Sequence, residues 1–106
     1  MPQTTFKFGP FTIDAAARLL FRDGNPIPLT PKAADLLIAL LKGQGEVVTK
    51  EQLLTEVWPN TFVTTNSLVG EIFKLRKTLK DDWEGGPLIE TVPNRGYRFT
   101  AAVTSE

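Results

Sequence analysis

The feature that most constrains the fold is a change of hydrophobic period along the chain. Before Thr30 the large apolar residues recur every second or third position, from Thr30 to Lys80 they recur at helical spacing, and after Leu88 they alternate as in strands. In the first stretch Phe6, Phe8, Phe11 and Ile13 bracket Gly9-Pro10, which predicts two short extended pieces with a kink. Leu19–Arg22 reads as a strand that runs into the turn signal Asp23-Gly24-Asn25-Pro26. Ile27-Pro28-Leu29 follows as a short edge-type strand, so the start of the chain is expected to be a small antiparallel sheet.

The middle stretch carries its own start and stop signals. Thr30 is placed to cap a helix, with Pro31 at the first helical position, where a missing N–H costs nothing. Ala33, Leu36, Leu37, Leu40 and Leu41 then share one face, and Gly43 and Gly45 end it. Thr49 and Gln52 form a capping-box pattern for a second, short helix with Leu53, Leu54 and Val57 on its apolar side and Pro59 as its stop. A loop, Pro59–Thr65, leads to a third helix over Asn66–Lys80, whose core stripe is Leu68, Ile72, Leu75 and Leu79. Asp81–Pro87 is polar and turn-rich. Leu88–Val92 and Tyr97–Val103 then read as two strands joined by Pro93-Asn94-Arg95-Gly96, with Gly96 expected to supply a positive φ and Asn94 to serve the turn. Small sheet, three helices and a C-terminal hairpin make an α+β chain laid out as a winged helix-turn-helix. The expected organisation is a flexible start over 1–5, one domain over 6–103, and a tail or start of a linker over 104–106, as in a piece of a longer polypeptide.

Composition narrows the chemistry. The chain has 106 residues, enough for one domain with its own core, and contains neither Cys nor His. Disulfides, thiol or imidazole catalysis and Cys/His zinc sites are thereby excluded. The carboxylates are scattered, and there is no Gly-rich phosphate loop and no nucleophile-elbow pattern, so neither an enzyme nor a cofactor is expected. The longest apolar run, Leu36–Leu41, is too short to span a bilayer, and the first residues have no signal-peptide pattern. Twelve Lys and Arg balance twelve Asp and Glu, which by itself argues against a nucleic-acid partner. The distribution argues otherwise. Residues 66–80 hold Lys74, Arg76, Lys77 and Lys80 against Glu71, a sum of +3, while the acidic residues Asp81, Asp82, Glu84 and Glu90 collect in the connector.

Opposite the core stripe of the third helix lie Asn66, Gly70, Phe73, Lys74 and Lys77, with Ser67, Glu71 and Arg76 on the flanks. Amide, ammonium and a glycine that permits close approach suit a helix lying in a major groove. The simpler reading of this helix alone is a solvated face whose lysines favour the C-terminal end of the dipole. Phe73 fits that reading badly; packing against the hairpin or a partner is the leading expectation for it, and contact with a thymine methyl is the alternative. Arg95 at a tight hairpin tip is placed for a minor groove. Arg98 is open between a phosphate contact and a surface ion pair, and Trp58 between a core plug and a phosphate donor.

These residues resemble the OmpR/PhoB-type winged helix-turn-helix of bacterial transcription regulators over residues 6–103. The resemblance is carried by Leu29-Thr30-Pro31, Val48-Thr49-Lys50-Glu51-Gln52-Leu53-Leu54, Val57-Trp58, Asn66-Ser67-Leu68, Leu75-Arg76-Lys77-Thr78-Leu79 and Ile89-Glu90-Thr91-Val92-Pro93-Asn94-Arg95-Gly96-Tyr97-Arg98-Phe99. The Asn-Ser-Leu helix start and the Val-Pro-Asn-Arg-Gly-Tyr wing are most similar to the CadC-like branch. The resemblance implies sequence-specific binding of double-stranded DNA, with helix 66–80 in the major groove and wing 93–96 in the minor groove. Asn66, Ser67, Gly70, Glu71, Lys74 and Arg76 would face DNA, joined by Lys77 from the helical wheel. Trp58 and Tyr97 would meet phosphate, and Thr91 and Arg95 would touch DNA from the wing. It further implies direct-repeat sites bound by two copies, and a polymerase-contact loop at Asn60, Thr61, Phe62, Val63 and Thr64. The setting it implies is the bacterial cytoplasm, with membrane tethering of the full-length protein as in the branch. Phe73 stands where relatives often carry a phosphate-binding Arg, and Glu71 where they often carry a neutral or basic residue. A protein-docking winged helix without DNA binding is the alternative function.

Overall fold

A computed structural model describes residues 5–81 and 88–105. The chain runs through β1 (Thr5–Phe8), β2 (Phe11–Asp14), β3 (Leu19–Arg22), β4 (Asn25–Ile27), α1 (Pro31–Lys42), β5 (Val48–Thr49), α2 (Lys50–Val57), α3 (Thr65–Asp81), β6 (Ile89–Val92), β7 (Gly96–Phe99) and β8 (Thr104–Ser105). Two antiparallel sheets flank the helices, one ordered β4-β3-β2-β1-β8 and the other β5-β7-β6.

The N-terminal sheet is a meander whose tight turns come from backbone chemistry. Asp23 and Gly24 both take positive φ, 51° and 86°, so Arg22 and Asn25 pair directly across a two-residue turn. This pulls β4 back to Asn25–Ile27 and leaves Pro28 and Leu29 outside the strand expected at 27–29. Phe8 and Phe11 pair across Gly9-Pro10 in the same way. Their rings stack at 5.2 Å, and Phe8 meets Phe99 of β7 edge-on at 5.0 Å, which joins the two sheets through one aromatic cluster.

The helix signals act where the residues place them. The Thr30 side chain accepts from Ala33 N–H at the start of α1, and Thr49 and Gln52 form a reciprocal capping box at α2. Helix α1 buries more than its expected face, because Ala34, Ile38 and Ala39 are enclosed as well. Leu68, Ile72, Leu75 and Leu79 of α3 are all buried. The third helix starts one residue early, taking Thr65 from the expected loop, and ends at Asp81. The polar stretch over 82–87 lies outside the described residues.

Three further differences concern the C-terminal part. The wing strands are shorter than expected, ending at Phe99, and β5 adds a third strand through Val48↔Tyr97 and Thr49↔Gly96. The expected tail over 104–106 instead supplies β8, paired with β1 through Phe6↔Ser105 and Lys7↔Thr104. Gly96 does not take a positive φ; Asn94 does, at 63°. Glycine is needed at 96 for a different reason. A Cβ there would fall 2.1 Å from the Val48 carbonyl oxygen, so any side chain would force β5 off β7.

Candidate nucleic-acid interface

Because four leucine and isoleucine side chains anchor one side of α3, its other side must face outward. Asn66, Val69, Gly70, Phe73, Lys74 and Lys77 are exposed there. Lys74 is 73% exposed, with its Nζ 3.9 Å from Glu71 Oε1, a loose pair that leaves the ammonium in solvent. Lys77 has no ion-pair partner among the described residues. Ser67 is half-buried, its amide donating to the Thr64 carbonyl at 3.0 Å where the chain turns into the helix. Glu71 is also half-buried, and its Oε2 is enclosed with no hydrogen-bond partner among the described residues. It therefore contributes little to the outward surface.

Arg76, expected to face DNA, makes its hydrogen bonds within the molecule. Its Nε and Nη2 donate to the Ile89 carbonyl at 3.2 and 3.1 Å, and Nη2 donates to Thr91 Oγ1 at 2.6 Å. Its guanidinium carbon lies 5.9 Å from the centre of the Tyr97 ring. The planar fork that suits a phosphate is thus committed to the first strand of the wing. One side chain ties α3 to β6 and covers the ring of β7. Thr91 is exposed but its hydroxyl already accepts from Arg76, and Tyr97 is only 4% exposed.

At the wing tip Arg95 is exposed and has no ion-pair partner among the described residues. Its backbone is held from both sides: Arg95 N–H donates to the Val92 carbonyl at 3.0 Å, and its carbonyl accepts from Lys50 N–H at 3.4 Å. Arg98 resolves as an ion pair, with Nε 2.8 Å from Glu90 Oε1 across the hairpin. That pairing offsets its charge and leaves the wing's cation at Arg95.

Trp58, half-buried, packs against the core at the end of α2 with the Lys32 ammonium 5.9 Å from its ring centre. Lys32 also donates to the Val57 carbonyl at 2.6 Å. In the loop before α3, Asn60, Thr61, Phe62 and Thr64 are exposed and Val63 is half-buried. Phe73, expected first to pack, is 68% exposed and lies outside the core cluster formed by the described residues. Sequence reasoning missed Val69, 48% exposed, although its place one turn before Phe73 was a usable signal. It also missed Lys50, whose amide fixes the wing through a contact distant in sequence.

Among the described residues no cluster of His, Cys, Asp or Glu could hold a metal, and no helix is long and apolar enough to cross a membrane. What remains is a partly cationic helix face beside a hairpin whose tip carries a free guanidinium, all set on a three-helix core. The fold and this face define a winged helix of the DNA-binding-domain class. The chain belongs to the family described as "Transcriptional regulatory protein, C terminal", whose model matches residues 24–99, and the OmpR/PhoB-type resemblance holds. It is 34% identical over 104 residues to the transcriptional activator CadC of Escherichia coli strain K12, covering 97% of this chain and 20% of that protein. The chain therefore spans about a fifth of the length of that relative. Among solved structures, the DNA-binding domain of E. coli CadC superposes with a TM-score of 0.87 at 32% identity over 100% of both chains. The DNA-binding domain of Klebsiella pneumoniae RstA in complex with the RstA box gives a TM-score of 0.74 at 31% identity, covering 90% of this chain and 95% of that one.

Proposed function

We propose that this chain is the sequence-specific, double-stranded-DNA-binding domain of a bacterial transcription regulator, with α3 in the major groove and the wing over 93–96 in the adjacent minor groove. The observation that carries this reading is the rigid link between its two candidate contacts, since Arg76 fastens the wing to the helix that presents Lys74 and Lys77. Asn66 and Lys74 read base edges, Gly70 permits approach, Lys77 supports the helix contact, and Arg95 enters the minor groove. Ser67 and Trp58 serve phosphates, and Arg76 and Thr91 act mainly by holding the wing, with the nearly buried Tyr97 ring beneath the Arg76 guanidinium as part of that support. RstA binding its box supports the reading by similarity. A module of this size needs a second copy on an adjacent, direct-repeat site for high affinity. The Asn60–Thr64 loop lies free for a polymerase contact, and the domain works on the cytoplasmic side as part of a longer, membrane-tethered regulator.

The test is a titration of random duplex DNA across salt. Neutralising about four phosphates would cost about a hundredfold in affinity between about 50 and about 200 mM salt. Absence of binding at low salt overturns the reading and favours a protein-docking module, the rival supported by exposed Phe62, Val69 and Phe73.

A further inference from the structure

Gly70 is a liability that nothing inside the molecule explains. It sits in the interior of α3 with an ordinary helical φ, and a Cβ added there would meet no atom within 4 Å. Helix propensity disfavours glycine at such a place by about fivefold relative to alanine. On either side of it stand two exposed apolar side chains, Val69 at 48% and Phe73 at 68%, one helical turn apart. Neither belongs to the core or packs on its margin. Conflicts between local preference and position gather at functional sites, and here three of them share one patch.

The surroundings of the patch indicate its occupant. Lys74 and Lys77 flank it with ammonium groups in solvent, and Asn66 lies one turn back on the same face. A surface of two cations, an amide and a narrow apolar strip is matched by the floor of a major groove, where thymine offers its C5-methyl between phosphate walls. We propose that Val69 and Phe73 form an apolar reading pair that recognises thymine C5-methyl groups, and that Gly70 lets the helix backbone settle close enough for both to reach. This inference rests on the DNA-binding reading above and specifies what part of the site it reads.

The experiment replaces thymine by deoxyuridine, which removes the methyl and keeps the base pair. Duplexes are first selected from a random pool with the wild-type domain. Each thymine in the selected site is then exchanged singly, and binding is measured for wild type, Phe73→Ala and Val69→Ala. Both variants are checked by thermal melting, which should match wild type because the truncated side chains are exposed. The expected result is that one or two adjacent exchanges weaken wild-type binding by about fourfold each. The same exchanges should have no effect on the variant lacking the side chain that meets that methyl. Salt-dependent binding that ignores every exchange overturns the reading pair and leaves the DNA-binding reading standing. An exchange effect that persists undiminished in both variants also overturns it. Failure of the wild type to bind any duplex at low salt overturns both.

Discussion

Helices α1 and α3 are the two longest in the molecule, and they use their surfaces in opposite ways. Eight of the twelve residues of α1 are buried, including alanines on its flanks, so its sequence answers to its neighbours on nearly every side. Helix α3 is longer, at 17 residues, yet its core attachment is a single stripe of Leu68, Ile72, Leu75 and Leu79. The rest of α3 carries Asn66, Val69, Gly70, Phe73, Lys74 and Lys77 in solvent. The difference teaches that one helix is scaffold throughout, whereas the other is scaffold on one side and free to specialise on the other.

That contrast can be broken most severely on the inner stripe of α3. Leu75→Asp buries an unpaired charge and should cost about 4 kcal/mol or more, abolishing the cooperative urea transition seen by circular dichroism. A Leu75→Asp variant that stays folded would refute the helix register. The next largest effect is expected beside the helices, where Gly96→Ala places a methyl against the Val48 carbonyl. It should cost about 1–3 kcal/mol in the same assay and loosen β5 from β7.

A smaller effect sharpens the border between the two sides of α3. Arg76→Ala removes the hydrogen bonds to Ile89 and Thr91 and should cost about 1–2 kcal/mol. Its distinctive readout is faster amide exchange in the wing strands with little change in α1. Arg76→Lys should not restore protection, since a single ammonium cannot reproduce the two-nitrogen fork. The smallest and only favourable change lies on the outer side. Gly70→Ala should raise stability by about 1 kcal/mol in a thermal or urea melt while weakening affinity for selected DNA. A stabilised variant with undiminished binding would show that the outer face tolerates any small residue.

The parts legible in the sequence are those governed by local chemistry. Thr30 with Pro31, and Thr49 with Gln52, announce helix starts through bonds to residues three positions away, and the structure makes those bonds. The α3 stripe follows from helical period alone. What the sequence hides depends on distant partners. The two-residue strands β5 and β8 have no periodicity of their own and exist only because β7 and β1 offer free edges. On a helical wheel Arg76 lies between core and solvent, so its direction is decided by where the Ile89 carbonyl comes to rest. Gly96 reads as necessary for the turn, but the necessity is steric and comes from β5. Large aromatics usually pack, which is why the sequence, although it sets Phe73 opposite the core stripe, favours a hairpin or partner contact for it; the helical period gives its face but not its 68% exposure.

The pairing of β8 with β1 has a mechanical consequence. The two strands are antiparallel, with Phe6 opposite Ser105, so the outer ends of both point the same way from one sheet edge. A pull that separates those ends loads the β1–β8 ladder one rung at a time, as a zipper opens, rather than shearing it all at once. The first structure to yield under tension would be this two-residue seam. The helices, the Arg76 strut and the wing, none of which belongs to that sheet, would still be standing when it had opened.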